Sequence, residues 1–301
     1  MAHEQTIRAE ASCSGVGLHS GARVNMRILP APAGSGIIFR RTDLDGFQIE
    51  ATSRNVAKVS YATSLMKKGV LISTTEHLLA ACVGVGLDNA IVELDNLELP
   101  LLDGSAQPFV EMILDAGLRR QRRERTYYRI LRELELHEGD KFIGVYPGAG
   151  YSVSYAIDFP HPLIGREIFE VELSNGQFRN EIAAARTFGF KHQEQQMKNM
   201  GLIRGASMEN VVVLTHDSVL NGPLRFSDEF VRHKVLDLIG DLALLGRRII
   251  GRVVANRAGH AMHTALVSRL LKDPALWEET TEEDALLPES RIPIAAIPVA
   301  Q

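Results

Sequence analysis

The segment Phe230-Val-Arg-His-Lys-Val-Leu-Asp-Leu-Ile-Gly-Asp241 constrains this chain more than any other stretch. It reads as a helix running to about Leu245, and residues four apart on a helix lie one above the other. His233 and Asp237 have that spacing, and Asp241 follows one turn later. An imidazole and a carboxylate aimed at one point supply two of the three protein ligands that a catalytic zinc site keeps. The alternative is a helix with a polar stripe facing solvent, the usual meaning of a bare His-x-x-x-Asp.

A third ligand is available in Ile72-Ser-Thr-Thr-Glu-His-Leu-Leu-Ala-Ala81, where His77 opens an apolar run. Ser73 and Glu76 have capping-box spacing, so Glu76 is read either as a helix cap or as a carboxylate beside a metal-bound imidazole. A further cluster, Asn256-Arg-Ala-Gly-His-Ala-Met-His263, follows the strand-like Ile249–Ala255, with Gly259 suggesting a tight turn or close backbone approach. His260 and His263 form a competing metal pair, or one of them is a general acid oriented by Asp241. Either is equally a surface histidine in a loop.

Six blocks then occur in fixed order: Gly15–Gly21 (Gly-Val-Gly-Leu-His-Ser-Gly), Ser73–Ala81, Leu102–Phe109 (Leu-Asp-Gly-Ser-Ala-Gln-Pro-Phe), Ala185–Phe190 (Ala-Arg-Thr-Phe-Gly-Phe), Arg225–Asp241 and Ala258–His260. Together they resemble the zinc-dependent UDP-3-O-acyl-N-acetylglucosamine deacetylases of lipid A biosynthesis in Gram-negative bacteria, from the first dozen residues to about Trp277. The resemblance implies one Zn2+ per chain on His77, His233 and Asp237, with iron as the open alternative. It implies Glu76 as general base, His260 as the protonated acid that Asp241 keeps charged, and Lys234 and Thr187 as oxyanion stabilisers. The reaction implied is hydrolysis of a linear amide C–N bond, the N-acetyl group of UDP-3-O-(3-hydroxyacyl)-N-acetylglucosamine, to free amine and acetate.

A diphosphate, a uracil and an acyl chain need three kinds of surface. Lys234 and Arg257 are the expected diphosphate partners, Phe159 the uracil contact, and the apolar passage is expected near Phe188 to Leu202, with Phe188 at its start. Two departures from the family pattern stand out. Tyr61-Ala62-Thr63-Ser64 lacks a cysteine that some members carry there, and Arg257 stands where some have lysine. For Lys234 the plain alternative is an ion pair with Asp237, for Thr187 a turn or strand residue, and for Phe159 a core position.

With 301 residues the chain has room for two domains, and 45% hydrophobic with 23% charged residues fits a globular fold. Strands separated from long helices indicate an α+β class; the resemblance implies two related α/β sandwiches with the zinc between them. The division falls at residues 1–125 and 126–301, with Arg119–Arg125 as an exposed linker, Asn175-Gly176 as a turn and a loose tail from about 278. A net charge of −4 disfavours nucleic acid as partner. Gly15-x-Gly17-x-x-x-Gly21 has the wrong spacing for a dinucleotide loop. Cys13 and Cys82 match no metal spacing and suit a reducing compartment. With no signal-like apolar run, the expectation is a cytoplasmic monomer with at most peripheral membrane contact. A non-catalytic nucleotide-sugar or acyl binder, and a zinc hydrolase of another N-acyl sugar, are the competing readings.

Overall fold

The computed structural model describes residues 2–57, 60–174 and 176–281. It is an α+β fold whose sheets carry helices on their faces. In the first half, five strands lie in the order Ala11–Val16, Arg23–Pro30, Ala90–Leu94, Ile37–Arg41, Phe47–Glu50. All neighbours are antiparallel except Ile37–Arg41 with Ala90–Leu94. Arg23–Pro30 alternates, burying Val24, Met26 and Ile28 and exposing the residues between them, the pattern of a sheet with one wet face. Helices α1 (Glu76–Val85) and α2 (Gln107–Ala116) belong to this half.

In the second half, Arg248–Asn256 is the central strand of a seven-stranded sheet. One edge pairs antiparallel with Lys141–Tyr146; the other runs parallel first to Tyr127–Ile130 and then to Tyr151–Phe159. It is buried almost throughout, as a strand covered on both faces should be. Helix α3 (Glu194–Asn199) is short; α4 (Glu229–Leu242) packs on Tyr151–Phe159, and α5 (His260–Lys272) packs on α4.

The main helix contact between the halves is α1 against α4. α4 is buried nearly all round, with only Arg232 and Lys234 partly open, so the stripe His233, Asp237, Asp241 faces protein and not solvent. Gly240 permits the approach: a Cβ there would stand 2.1 Å from the Glu76 carbonyl oxygen. The N-terminus of α4 is served from elsewhere in the chain, since Glu167 accepts from the Val231 amide at 3.1 Å.

Several sequence expectations are corrected. Arg119–Arg125 is not a linker: Leu118–Glu124 is a strand paired antiparallel with His3–Ile7, and Arg125 is buried on Asp88 at 2.7 and 2.9 Å. Charge is tolerated along this ribbon because its exposed positions project into water. Ser73 does not cap α1. The helix begins at Glu76 itself, and the Ser73 amide is spent on the Leu97 carbonyl. Gly259 is extended with open space around it, not in a tight turn, and His260 starts α5 instead of lying in a loop. Residues Trp277–Thr280 form a strand on Tyr127–Ile130, so the expected tail does not begin at 278. Its remainder from 282, and Asn175 of the expected turn, lie outside the described residues.

Candidate metal centre and active site

α1 presents Glu76 and His77 at its first turn, and α4 presents His233 and Asp237 one turn apart, so the helix contact brings all four together. His77 Nε2 and His233 Nε2 lie 3.6 and 3.3 Å from the same oxygen, Asp237 Oδ1. Bonds of about 2.0–2.1 Å to one tetrahedral ion would give ligand–ligand edges of about 3.3–3.5 Å. The donor set therefore fits a metal such as zinc in both chemistry and spacing. The second carboxylate oxygen, Oδ2, accepts from Lys234 Nζ at 2.9 Å, which leaves Oδ1 facing the histidines.

The His233 ring is oriented by its other nitrogen, which donates from Nδ1 to the Ala185 carbonyl at 3.0 Å and leaves Nε2 as the electron-pair donor. Burial pushes the His233 imidazole down to about 4, outweighing the pull of Asp237, so it stays neutral as a ligand must. Burial acts to raise Asp237, but the basic groups around it, His233 and the Lys234 ammonium first, hold it well below the carboxylate range.

Glu76 is 3% exposed, and burial raises its pKa against the opposing pull of the charged His260. Its Oε2 accepts from the Thr63 amide at 3.0 Å. The Thr63 hydroxyl donates to Asp241 Oδ1, so one residue holds both the Glu76 and the Asp241 carboxylates. Asp241 Oδ2 accepts from His260 Nδ1 at 2.7 Å and from His263 Nδ1 at 2.8 Å. Burial acts to lower His260, but the adjoining Asp241 carboxylate, with Asp237 and Glu76 beyond it, raises it to about 9. His260 Nε2 points back toward Asp237 Oδ2, 4.0 Å away. Asp241, His260 and His263 also form a three-residue group of potential ligands. Both nitrogens meet one oxygen at hydrogen-bond length, so protons account for that cluster without an ion.

A cavity of about 410 Å³ opens over these groups and is lined by Glu76, His77, His233, Lys234, Asp237 and His260 on one side. Thr187 lines it too, its backbone fixed by Gly104 and Val212 at 2.8 Å each. Phe188 and Phe159 stand in its wall with ring centroids 5.7 Å apart, and Met197, Ile203, Val211 and Val213 continue an apolar surface. Lys234 Nζ lies 5.7 Å from the Phe188 ring centre. Arg257 is not in this wall; its guanidinium is paired with Asp140 at a site 40% exposed.

Sequence reasoning missed Thr63, Glu98 and Tyr155. Glu98 is buried and accepts from the amides of His19 and Ser20 at 2.9 and 2.7 Å and from the Thr74 hydroxyl at 2.9 Å. It thereby holds Thr74 at φ +59°, an unfavourable conformation for a β-branched residue, two positions before Glu76. It also explains the glycine at 17, where a Cβ would meet the Glu98 carboxylate at 2.4 Å.

A sequence model of the family LpxC, UDP-3-O-acyl N-acetylglycosamine deacetylase, matches residues 4–272. The chain belongs to this family. It is 52% identical over 282 residues to the UDP-3-O-acyl-N-acetylglucosamine deacetylase of Solibacter usitatus, covering 93% of this chain and 95% of that one. It is 45% identical over 278 residues to the enzyme of that name from Myxococcus xanthus (92% and 88% covered). To that from Saccharophagus degradans it is 41% identical over 303 residues (99% and 100% covered). The LpxC match spans both halves of the chain, so it takes in both helices that carry the candidate ligands, α1 and α4.

Proposed function

We propose that the protein hydrolyses the N-acetyl group of UDP-3-O-(3-hydroxyacyl)-N-acetylglucosamine, giving the free amine and acetate, the committed step of lipid A biosynthesis. The observation that carries this reading is the convergence of two ring nitrogens on one carboxylate oxygen, 3.6 and 3.3 Å away and close to tetrahedral edge length, with Glu76 and His260 facing the same cavity. His77, His233 and Asp237 hold one Zn2+ per chain, with Fe2+ the alternative occupant. Bound there, the ion supplies Lewis acidity and lowers the pKa of water to about 7.

Glu76 is the general base. It takes a proton from the attacking water, and its raised pKa suits that task at neutral pH. His260, charged because Asp241 stands against Nδ1, gives its Nε2 proton to the departing sugar nitrogen as the C–N bond breaks. Lys234 and Thr187 face the oxygen that gains charge in the tetrahedral intermediate. For Lys234 this competes with its ion pair to Asp237, which is present in the free protein.

Phe159 receives the uracil, and Phe188 begins the apolar wall that takes the acyl chain. Lys234 is the diphosphate cation within the cavity; Arg257 joins it by exchanging Asp140 for phosphate. The site lies between a unit of residues 1–125, which carries α1, and a unit of residues 126–301, which carries α4. We place the enzyme in the cytoplasm as a monomer with at most peripheral membrane contact, a reading supported by the free thiols of Cys13 and Cys82. The test is acetate release from the full substrate against analogues lacking UDP or the 3-O-acyl chain. Full substrate should be strongly preferred; equal rates on simple N-acetyl sugars would assign a different substrate.

A further inference from the structure

His263 and Tyr155 have no part in the chemistry just described, yet both are fully buried beside it. A buried imidazole is costly unless it is hydrogen-bonded, and an apolar residue would fill this position on α5 without that cost. The two ends of the His263 ring are both occupied. Nδ1 donates to Asp241 Oδ2 at 2.8 Å, and Nε2 lies 3.2 Å from the Tyr155 hydroxyl. Tyr155 in turn donates to the Ala258 carbonyl at 2.6 Å, two residues before His260, where the chain turns from strand to α5.

Asp241 is thus clamped from three sides: Thr63 on Oδ1, and His260 and His263 together on Oδ2. A carboxylate torsion is broad and nearly two-fold, so a single donor does not fix it. Loss of His263 would leave His260 as the sole donor on Oδ2, so that carboxylate and imidazole could turn together and take His260 off its aim at the cavity.

We propose that His263 is a positioning residue which, with Tyr155 behind it, holds the Asp241 carboxylate and thereby directs His260 Nε2 at the departing nitrogen. This inference rests on His260 being the proton donor. Tyr155 has one hydroxyl proton, spent on the Ala258 carbonyl, so against His263 it acts by packing, the two rings edge to face with centroids 5.9 Å apart. The imidazole of His263 is neutral with its proton on Nδ1, because burial lowers its pKa more than Asp241 raises it.

The test uses zinc-loaded holoenzyme and reads kcat and KM separately for His263→Leu, His263→Asn and His260→Gln. His263→Leu is expected to lower kcat by about 10- to 100-fold, as loss of an outer-shell partner does, with KM and metal content unchanged. His263→Asn, whose amide can donate to the same oxygen, is expected to recover most of that loss. In a His260→Gln background, His263→Leu is expected to add little, since both act on one step. Wild-type kcat in His263→Leu, or an Asn variant as impaired as Leu, overturns the proposal. Full activity of His260→Gln overturns the underlying acid assignment as well, and so is told apart. If His263→Leu does not fold, ring 15N spectra of the wild-type protein decide: protonation at Nε2 alone overturns the proposal.

Discussion

Gly240 of α4 lies directly against the backbone of Glu76 in α1, so close that a methyl group at 240 would stand 2.1 Å from the Glu76 carbonyl oxygen. The two helices that supply the candidate ligands therefore meet at a position where only glycine fits. Gly240→Ala is expected to separate α1 from α4, with a stability loss of about 1–3 kcal/mol for overpacking. Metal affinity should fall with it, because His77 and Asp237 sit on opposite sides of that contact. Thermal unfolding and metal titration of the variant check both effects.

Metal content separates ligands from base. His77→Ala, His233→Ala and Asp237→Ala should each lose bound metal and activity together. Glu76→Gln should retain about one ion per three-ligand site while kcat falls by about 10²- to 10⁴-fold. Inductively coupled plasma analysis beside acetate release reads both quantities. Metal lost from Glu76→Gln would make that carboxylate structural.

The rate should depend on pH as a bell. Glu76 must be ionised, and burial raises its pKa, so the acidic limb lies above the ordinary carboxylate value of 4.5. His260 must be protonated, and Asp241 raises it to about 9, so the basic limb lies near there. Residual activity should lose its acidic limb in Glu76→Gln and its basic limb in His260→Gln.

Glu167 gives a stability prediction away from the chemistry. Burial raises its pKa from 4.5 to about 7, against the Val231 amide it caps. A raised carboxylate favours the protonated folded state, so that contribution is complete below 4.5 and is lost as pH rises through 7. The wild-type Tm should therefore drop more between pH 5 and pH 8 than that of Glu167→Gln, whose amide oxygen can still accept from Val231. Parallel curves for the two proteins would contradict the assignment.

Thr63→Val removes the hydroxyl from Asp241 and keeps the amide on Glu76. It should lower kcat while leaving metal content unchanged, and Thr63→Ser should restore it. Loss of metal in the valine variant would show that Thr63 supports the ligands instead.

What the sequence made legible followed from spacing. His233 and Asp237 converge because one helical turn separates them, and the buried run after His77 marks α1 as a core helix. The central strand at Arg248–Asn256 is readable from the apolar run Ile249–Ala255. Other features depend on contacts between distant segments. Thr63 meets Asp241 across 178 positions, and Tyr155 meets His263 across 108, so no local pattern announces them. Capping-box spacing at Ser73 and Glu76 misled because Glu98 forces Thr74 into the left-handed region, which moves the helix start to Glu76. The arginine run from Arg119 was misread because its partner strand, His3–Ile7, lies more than a hundred residues earlier.

Metal-dependent deacetylation can be followed in a single assay. Acetate release from UDP-3-O-(3-hydroxyacyl)-N-acetylglucosamine is followed before chelation, after chelation and during zinc restoration. Activity should disappear with the chelator and return in full at about one zinc per chain, the stoichiometry of a single three-ligand site. Undiminished turnover by the metal-free protein, or no turnover by the folded zinc-loaded protein, would contradict metal-dependent deacetylation.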